Sequence, residues 1–516
     1  MPYRTIHTKP NGMKYVYEST SYWDKDKKAP RNRQVCLGRL DEITREVIPS
    51  KKDEKSTSSL AADMPANVTS LIVGPSTLFN RVAQDTGISK ILSICFPDKH
   101  TQILSLAYFL VQKGLPLSRC EIWSTSHKHP SVNELTSQRV SELLHEITES
   151  ERQTFFSLWM DYLAESECFY YDLTSVSSYS EQNEYVRFGH NRDKEKLPQI
   201  NIAMLYGQRS ALPGYYRRLP GNISDVSTLQ TTVQSLSFIG QTKLTFILDR
   251  GFYSETNVDA LLKARFRFIL ACPKRTWIEK LFETYHDVIV SSKNRRAMSE
   301  HEVLYMHTII YKWKERRCYV HIYYNNVRAA DDLDSFMLKL ATWQDELVTG
   351  NENIDNEWAY KKYFIIKNSP KRGRKVIENA QAVENAKKKH VGFFCLLTPY
   401  KTDALTAIET YRRKEAVENC FDDLKNMLDM KRLRIHSSQS MDSRIFIQFI
   451  ALIILSQVRL IKNQHRRLRN LTIREIMELM ETISEIRIPN KRKPVITEIG
   501  PLQRDIVEQF GLSLKT

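Results

Sequence analysis

Cys168-Phe169-Tyr170-Tyr171-Asp172-Leu173-Thr174 is the stretch on which the fold turns. Here the apolar spacing changes from helical to extended, and the run reads as a strand. Gln199 to Tyr206 reads as a second strand, Gly214 to Leu219 as a third, and Val226 to Phe238 as an intervening helix. Leu244-Thr245-Phe246-Ile247-Leu248-Asp249 is a fourth strand, almost wholly apolar and so expected to be buried on both faces. Asn257 to Ala264 is predicted helical, and Phe266 to Ala271 is the fifth strand. Three strands, a crossover helix, a strand, a helix and a strand make a mixed α/β sheet.

Outward from this core the rhythm breaks. Between residues 275 and 400, Val303–Tyr311, Cys318–Tyr324, Tyr363–Lys367 and Val391–Leu397 read as strands around an acidic stretch, Asp331 to Glu357. A β-rich insertion subdomain is the expectation. Thr406–Leu428 is predicted as one long helix and Ser443–Lys462 as another. The tail is basic, with Arg459, Lys462, Arg466, Arg467 and Arg469 followed by Lys491-Arg492-Lys493. On the N-terminal side the spacing is helical from Ser76 to Leu163. Leu78–Ala83 leads through Thr86-Gly87 into Ile88–Cys95, a helix–turn–helix-like arrangement, although such pairs occur in many proteins that never touch DNA. Ser131-Val132-Asn133-Glu134 reads as a capping box opening a helix to Ile147. Up to Lys55 there are 13 Lys/Arg against 8 Asp/Glu, with short strands at Tyr15–Tyr17 and Gln34–Leu37 and a polar linker from Ser50 to Ser59. The divisions expected are therefore 1–60 (small, basic, β-rich), 61–164 (helical, a DNA-binding candidate), 165–274 with 401–455 (the core), 275–400 (the insertion) and 456–516 (basic, helical).

Composition narrows the function classes. The 516 residues carry 76 Lys plus Arg against 60 Asp plus Glu, a formal net charge of +16, which points to a polyanionic partner: nucleic acid first, an acidic membrane surface second. With 41% hydrophobic residues, 16 Gly and 18 Pro, wholesale disorder and collagen-like repetition are excluded. The eight cysteines form no C-x-x-C and mostly lie in apolar stretches, so they read as reduced core thiols. Met1 to His7 holds no apolar run of the secretion-signal kind, and Ile445–Leu455, interrupted by Gln448, reads as too short to span a bilayer. The expectation is a cytoplasmic, nucleoid-associated protein. P-loop, zincin and G-x-S-x-G patterns are absent.

Three carboxylates stand out by position. Asp172 lies within the first strand among apolar neighbours, and Asp249 ends the fourth, followed by Arg250-Gly251-Phe252. An Asp inside an apolar strand is costly unless it is paired or binds a metal, and two on neighbouring strands suggest a shared cation. The third is Glu418. Tyr411, Lys414, Glu418, Phe421 and Lys425 recur at three- and four-residue steps and share a helix face, whereas Glu415 is turned away from Lys425. A solvated helix with i,i+4 ion pairs would show the same charges, but Ala416, Val417, Cys420 and Leu424 add a packing stripe beside them. Two Mg²⁺ ions held by three carboxylates would activate an oxygen nucleophile and stabilise a leaving oxygen, which is what phosphodiester chemistry needs. Nearby Lys and Arg would neutralise a DNA backbone.

Asp172 in Tyr-Tyr-Asp-Leu-Thr-Ser, Asp249 in Leu-Asp-Arg-Gly-Phe-Tyr-Ser and the helix bearing Glu418 together resemble the DDE transposases of bacterial insertion sequences. The branch is the one marked by Y-x2-R-x3-E-x6-K, read here as Tyr411, Lys414, Glu418 and Lys425, with Lys in place of Arg. The resemblance spans about residues 165 to 455. It implies an RNase H-like core with Asp172, Asp249 and Glu418 as catalytic ligands of two Mg²⁺ ions, for which Mn²⁺ can substitute. It also implies an insertion that accounts for the 168 residues between Asp249 and Glu418, and DNA contacts from Tyr411, Lys414, Lys425 and Arg250. Lys414 brings a point charge where Arg would grip a phosphate in two places. Some relatives stack a flipped base on an aromatic of the insertion. Trp277, Trp313, Trp343 and Trp358 are available, but core packing is the expected role of all four. The implied activity is cleavage of double-stranded element ends and transfer of the 3′-OH into target DNA, by a homodimer. A catalytically silent DNA-binding descendant and an RNase H-like nuclease without strand transfer remain as alternatives.

Overall fold

The computed structural model of the chain describes residues 3–10, 12–24, 29–41, 45–49, 68–163, 168–180, 183–193, 195–223, 225–238, 244–369, 373–388, 391–435, 437–488 and 493–514. The linker expected at 50–59 and the basic Lys491-Arg492 lie outside these residues. The chain forms two units, one from Met1–Leu71, Glu485–Thr497 and Thr516, the other from Ile72–Ser484 and Glu498–Lys515.

In the first unit, β1 (Tyr3–Thr8), β2 (Lys14–Asp24), β3 (Ala29–Leu40) and β4 (Val47–Pro49) make a four-stranded sheet in chain order. The strands run well beyond the short segments expected, because alternation continues through polar residues such as Ser19, Ser21, Asn32 and Gln34 that pair across β2 and β3. β5 (Thr69–Ile72) follows.

The second unit opens with helices α1 (Gly74–Asp85), α2 (Ile88–Cys95), α3 (His100–Lys113), α4 (Cys120–Ser126), α5 (Ser137–Glu146) and α6 (Glu149–Leu163). Gly87, at φ 72°, supplies the left-handed turn between α1 and α2. The capping box expected at Ser131 is not one. Ser131 Oγ accepts from the Asn133 amide two residues on, closing a local turn. Thr136 caps α5 instead, accepting from the Arg139 amide.

The core strands fall where the sequence places them: β6 (Cys168–Ser178), β7 (Gln199–Gly207), β8 (Pro213–Pro220), α7 (Asp225–Phe238), β9 (Thr245–Leu248), α8 (Glu255–Lys263) and β10 (Arg267–Cys272). β6, β7 and β8 are antiparallel neighbours, while β9 runs parallel to both β6 and β10. Every residue of β9 is buried, as an apolar run between two neighbours requires.

The next segment is not a β subdomain set apart from the core. After α9 (Thr276–Ile289), β11 (Arg295–Ser299), β12 (Glu302–Trp313) and β13 (Arg316–Tyr324) join the core sheet. They do so through β16 (Phe393–Thr398), which pairs antiparallel with both β13 and β10. With β17 (Arg432–Leu433) beside β6, the sheet has ten strands, in the order β11-β12-β13-β16-β10-β9-β6-β7-β8. This large mixed sheet is consistent with an RNase H-like transposase fold. The acidic stretch is helical, in α10 (Asn326–Thr349) and α11 (Glu357–Tyr363), followed by the hairpin β14 (Phe364–Ser369) and β15 (Gly373–Glu378) and by α12 (Ala380–Lys388). Leu340, Trp343, Leu347, Tyr360, Tyr363 and Val383 give this excursion a core of its own. Trp343 and Trp313 are buried and Trp277 is half-buried, but Trp358 is 58% exposed and is no core residue.

Beyond α13 (Ala404–Arg412) and α14 (Glu415–Asp422) comes α15 (Ser438–Gln464), the structural axis of this unit. Phe446 and Phe449 meet Phe155 and Phe156 of α6 at ring-centroid distances of 5.1 Å and 5.4 Å. The apolar stretch read as too short for a bilayer thus lies in a 27-residue helix that meets the length and composition of a membrane span, yet 78% of its apolar window is buried within the protein. α16 (Ile473–Glu481) and α17 (Pro501–Gln509) flank two short strands, β18 (Ser484–Arg487) and β19 (Val495–Ile496), so the C-terminal region is not purely helical. In the first unit those strands form a sheet in the order β19-β18-β5.

Candidate active site

β6 and β9 are parallel neighbours, with Tyr171 opposite Leu248 in register, so the next residue of each strand, Asp172 and Asp249, emerges at the same level. α14 supplies Glu418. All three carboxylates line one cleft of about 430 Å³, together with Arg192, Asp193, Asp422 and Lys425.

Asp172 is mostly buried. Its Oδ1 accepts from the Leu173 amide at 2.8 Å and from Arg192 Nη1 at 3.2 Å. Burial raises its pKa; Arg192 and the Leu173 amide oppose this without cancelling it, and the charge of Asp249 adds to the rise. Asp249 is held from the other side: the Tyr411 hydroxyl donates to Oδ1 at 2.6 Å, and Lys414 Nζ donates to Oδ1 at 3.0 Å and Oδ2 at 2.8 Å. Burial and then the adjacent Asp249 charge keep the Tyr411 hydroxyl protonated, its pKa well above the ordinary value. Burial works against the Lys414 ammonium, but the hydrogen bond and charge of Asp249, followed by Glu418 and Asp172, raise its pKa all the same. Glu418 is 59% exposed, with Lys414 Nζ at 3.8 Å. Lys425 Nζ donates to Asp193 at 2.7 Å. Arg250, exposed at the start of the turn after Asp249, lines a second cavity of about 790 Å³, with Tyr411 and Lys414, that shares Asp249 and Gly251 with the first.

The single helix expected over 406–428 is broken. α13 ends at Arg412, α14 restarts at Glu415, and Asp423–Met427 forms a π turn closed by the Leu428 amide on the Asp423 carbonyl at 3.1 Å. No Gly or Pro stands at the first break. Tyr411 and Lys414, on either side of it, both bind Asp249, so tertiary anchoring overrides the local preference. The side chain of Glu415 lies outside the described residues.

Asp423 is buried against Arg459, and burial raises its pKa to about 6. A carboxyl whose folded pKa lies above its unfolded value near 4 stabilises the fold while protonated, and that contribution is lost as pH rises through about 6. Asp423→Asn, neutral throughout, is expected to gain about 2 kcal/mol over wild type between pH 4 and pH 7. Urea unfolding at several pH values checks this; a difference that does not change with pH would contradict it.

Carboxylate oxygens are the donors that hard divalent cations take. Among the described residues no three His, Cys, Asp or Glu side chains converge closely enough to close a metal site as they stand. Two of the carboxylates instead carry protein cations, the Lys414 ammonium and the Arg192 guanidinium. The donor chemistry therefore fits Mg²⁺, and the cleft already holds positive charge. Arg192 and Asp193 escaped the sequence reading. The one available signal was the charged run Arg192-Asp193-Lys194-Glu195-Lys196 following the strand of Asp172.

Among solved structures, the chain is similar to a piggyBac transposase in a synaptic complex with hairpin DNA, at 9% identity and a TM-score of 0.38, over 81% of this chain and 77% of that one. No curated protein matches the sequence. Residues 164–454, more than half of the chain and the whole span of Asp172, Asp249 and Glu418, match the family described as transposase DDE domain. The chain belongs to that family.

Proposed function

We propose that this protein is the transposase of a bacterial insertion sequence, cutting the DNA at its element's ends and joining the freed 3′-OH to target DNA. The observation that carries the reading is the convergence of Asp172, Asp249 and Glu418, from three separate elements, on one cleft that Arg192 and Lys425 also line. In this reading those carboxylates hold two Mg²⁺ ions. When bound, the ions activate the attacking oxygen, first of water and then of the 3′-OH, and stabilise the leaving oxygen. Tyr411 and Lys414 orient Asp249 through the hydrogen bonds described. Lys425, lining the first cleft, and Arg250, lining the second, neutralise phosphates of the strand being cut. Two element ends have to be held together, so the DNA-bound form is a homodimer, and the work is done in the cytoplasm, on the nucleoid.

The test is cleavage of labelled duplexes carrying the DNA that flanks the gene. Mg²⁺ is expected to give a nick leaving a 3′-OH, and chelation to abolish it. Binding of the ends without cutting in either Mg²⁺ or Mn²⁺ would favour a silent DNA-binding descendant. Nicking without strand joining would favour a nuclease.

A further inference from the structure

The loop between β6 and β7 is pegged along β6. The Arg192 amide donates to Ser175 Oγ at 2.9 Å, and Asn191 Nδ2 donates to Ser177 Oγ at 3.3 Å. Asn191 Oδ1 in turn accepts from the Asp193 amide at 2.8 Å. From this platform two neighbouring side chains reach the cleft with opposite charges: Arg192 onto Asp172, and Asp193 onto Lys425. The Asp172 side chain is 18% exposed, and a largely buried carboxylate with no counter-ion is costly. Its partner Arg192 is 36% exposed, so the guanidinium stands at the solvent side of the pair. Lys414 on Asp249 differs, because that residue stands at the start of α14 and its ammonium binds both carboxylate oxygens. Of the two cations, only Arg192 is carried by a loop.

We propose that Arg192 is the exchangeable counter-ion of Asp172, seated on the carboxylate in the metal-free protein and displaced when a divalent cation binds there. The inference rests on the divalent-cation reading of the cleft. Arg192 is thus a positioning residue: it holds Asp172 in place before loading and competes with the metal for Oδ1.

Competition has a sign that a merely structural role lacks. Mn²⁺ binding to the full-length, DNA-free protein, followed by electron paramagnetic resonance, is expected to tighten in Arg192→Ala by about fivefold, the factor corresponding to an ion pair worth about 1 kcal/mol. Arg192→Lys, which keeps the charge, is expected to stay near wild type, and Asp172→Asn to lose the ion. An unchanged, weaker or undetectable affinity in Arg192→Ala, with Asp172→Asn still defective, overturns the exchange and leaves the active-site reading standing. Wild-type affinity in Asp172→Asn overturns both.

Discussion

Glu418→Gln is expected to lower strand cleavage by about a thousandfold while folding and DNA binding persist. The side chain is 59% exposed and meets one cation, Lys414, at 3.8 Å, so the fold does not depend on its charge. Lys414 keeps its two closer bonds to Asp249 in the variant and is not left unpaired. What the amide removes is an anionic oxygen donor, and a hard divalent cation discriminates strongly between carboxylate and amide. The same substitution at Asp249 would be less clean, because Tyr411 and Lys414 both depend on that carboxylate. Single-turnover cleavage, with duplex binding and thermal unfolding measured in parallel, checks the outcome. Glu418→Gln that cuts at wild-type rate would remove Glu418 from the site.

The second large effect is on stability. Gly221→Ala is expected to cost about 3 kcal/mol or more. A Cβ at Gly221 would lie 2.1 Å from the Gln199 carbonyl oxygen and 2.5 Å from that of Arg187, and one at Gly189 would lie 2.0 Å from the oxygen of Gly221. These neighbours are backbone, not flexible side-chain ends, so one chain has to move. The Gly221 carbonyl also accepts from Gln199 Nε2 at 3.1 Å, a bond that movement would stretch. Because residues 187–193 carry Arg192, the displacement reaches the cleft, and cleavage is expected to fall along with the melting temperature. An unchanged melting temperature would mean the two segments do not approach so closely.

Much of this site was legible in the sequence because its parts are local. Asp172 and Asp249 announced themselves as acids at apolar strands, and the spacing from Tyr411 to Lys425 was regular enough to name Glu418. What escaped depended on distant partners. Nothing between Thr406 and Leu428 signals a break, since its anchor is Asp249, more than 150 positions earlier. The strands at 303–311, 318–324 and 391–397 were found, but their place in the core sheet was not, because an antiparallel pairing such as Cys272 with Cys395 leaves no local trace, and β15, β17, β18 and β19 were not found. Arg192 stands in a loop, twenty positions from Asp172, with nothing local to tie the two together.

Tyr324, the last residue of β13, stands directly opposite Phe393, the first of β16. Everything between them, α10 to α12 with their hairpin and separate core, leaves and re-enters the protein through a single doorway, closed by the Asn325 amide donating to the Gly392 carbonyl at 3.1 Å. The sheet has already met the entropic cost of closing that loop, and the cost of further length grows only slowly. A change in the length of this excursion is therefore expected to leave in place the register of β6 and β9, from which Asp172 and Asp249 emerge.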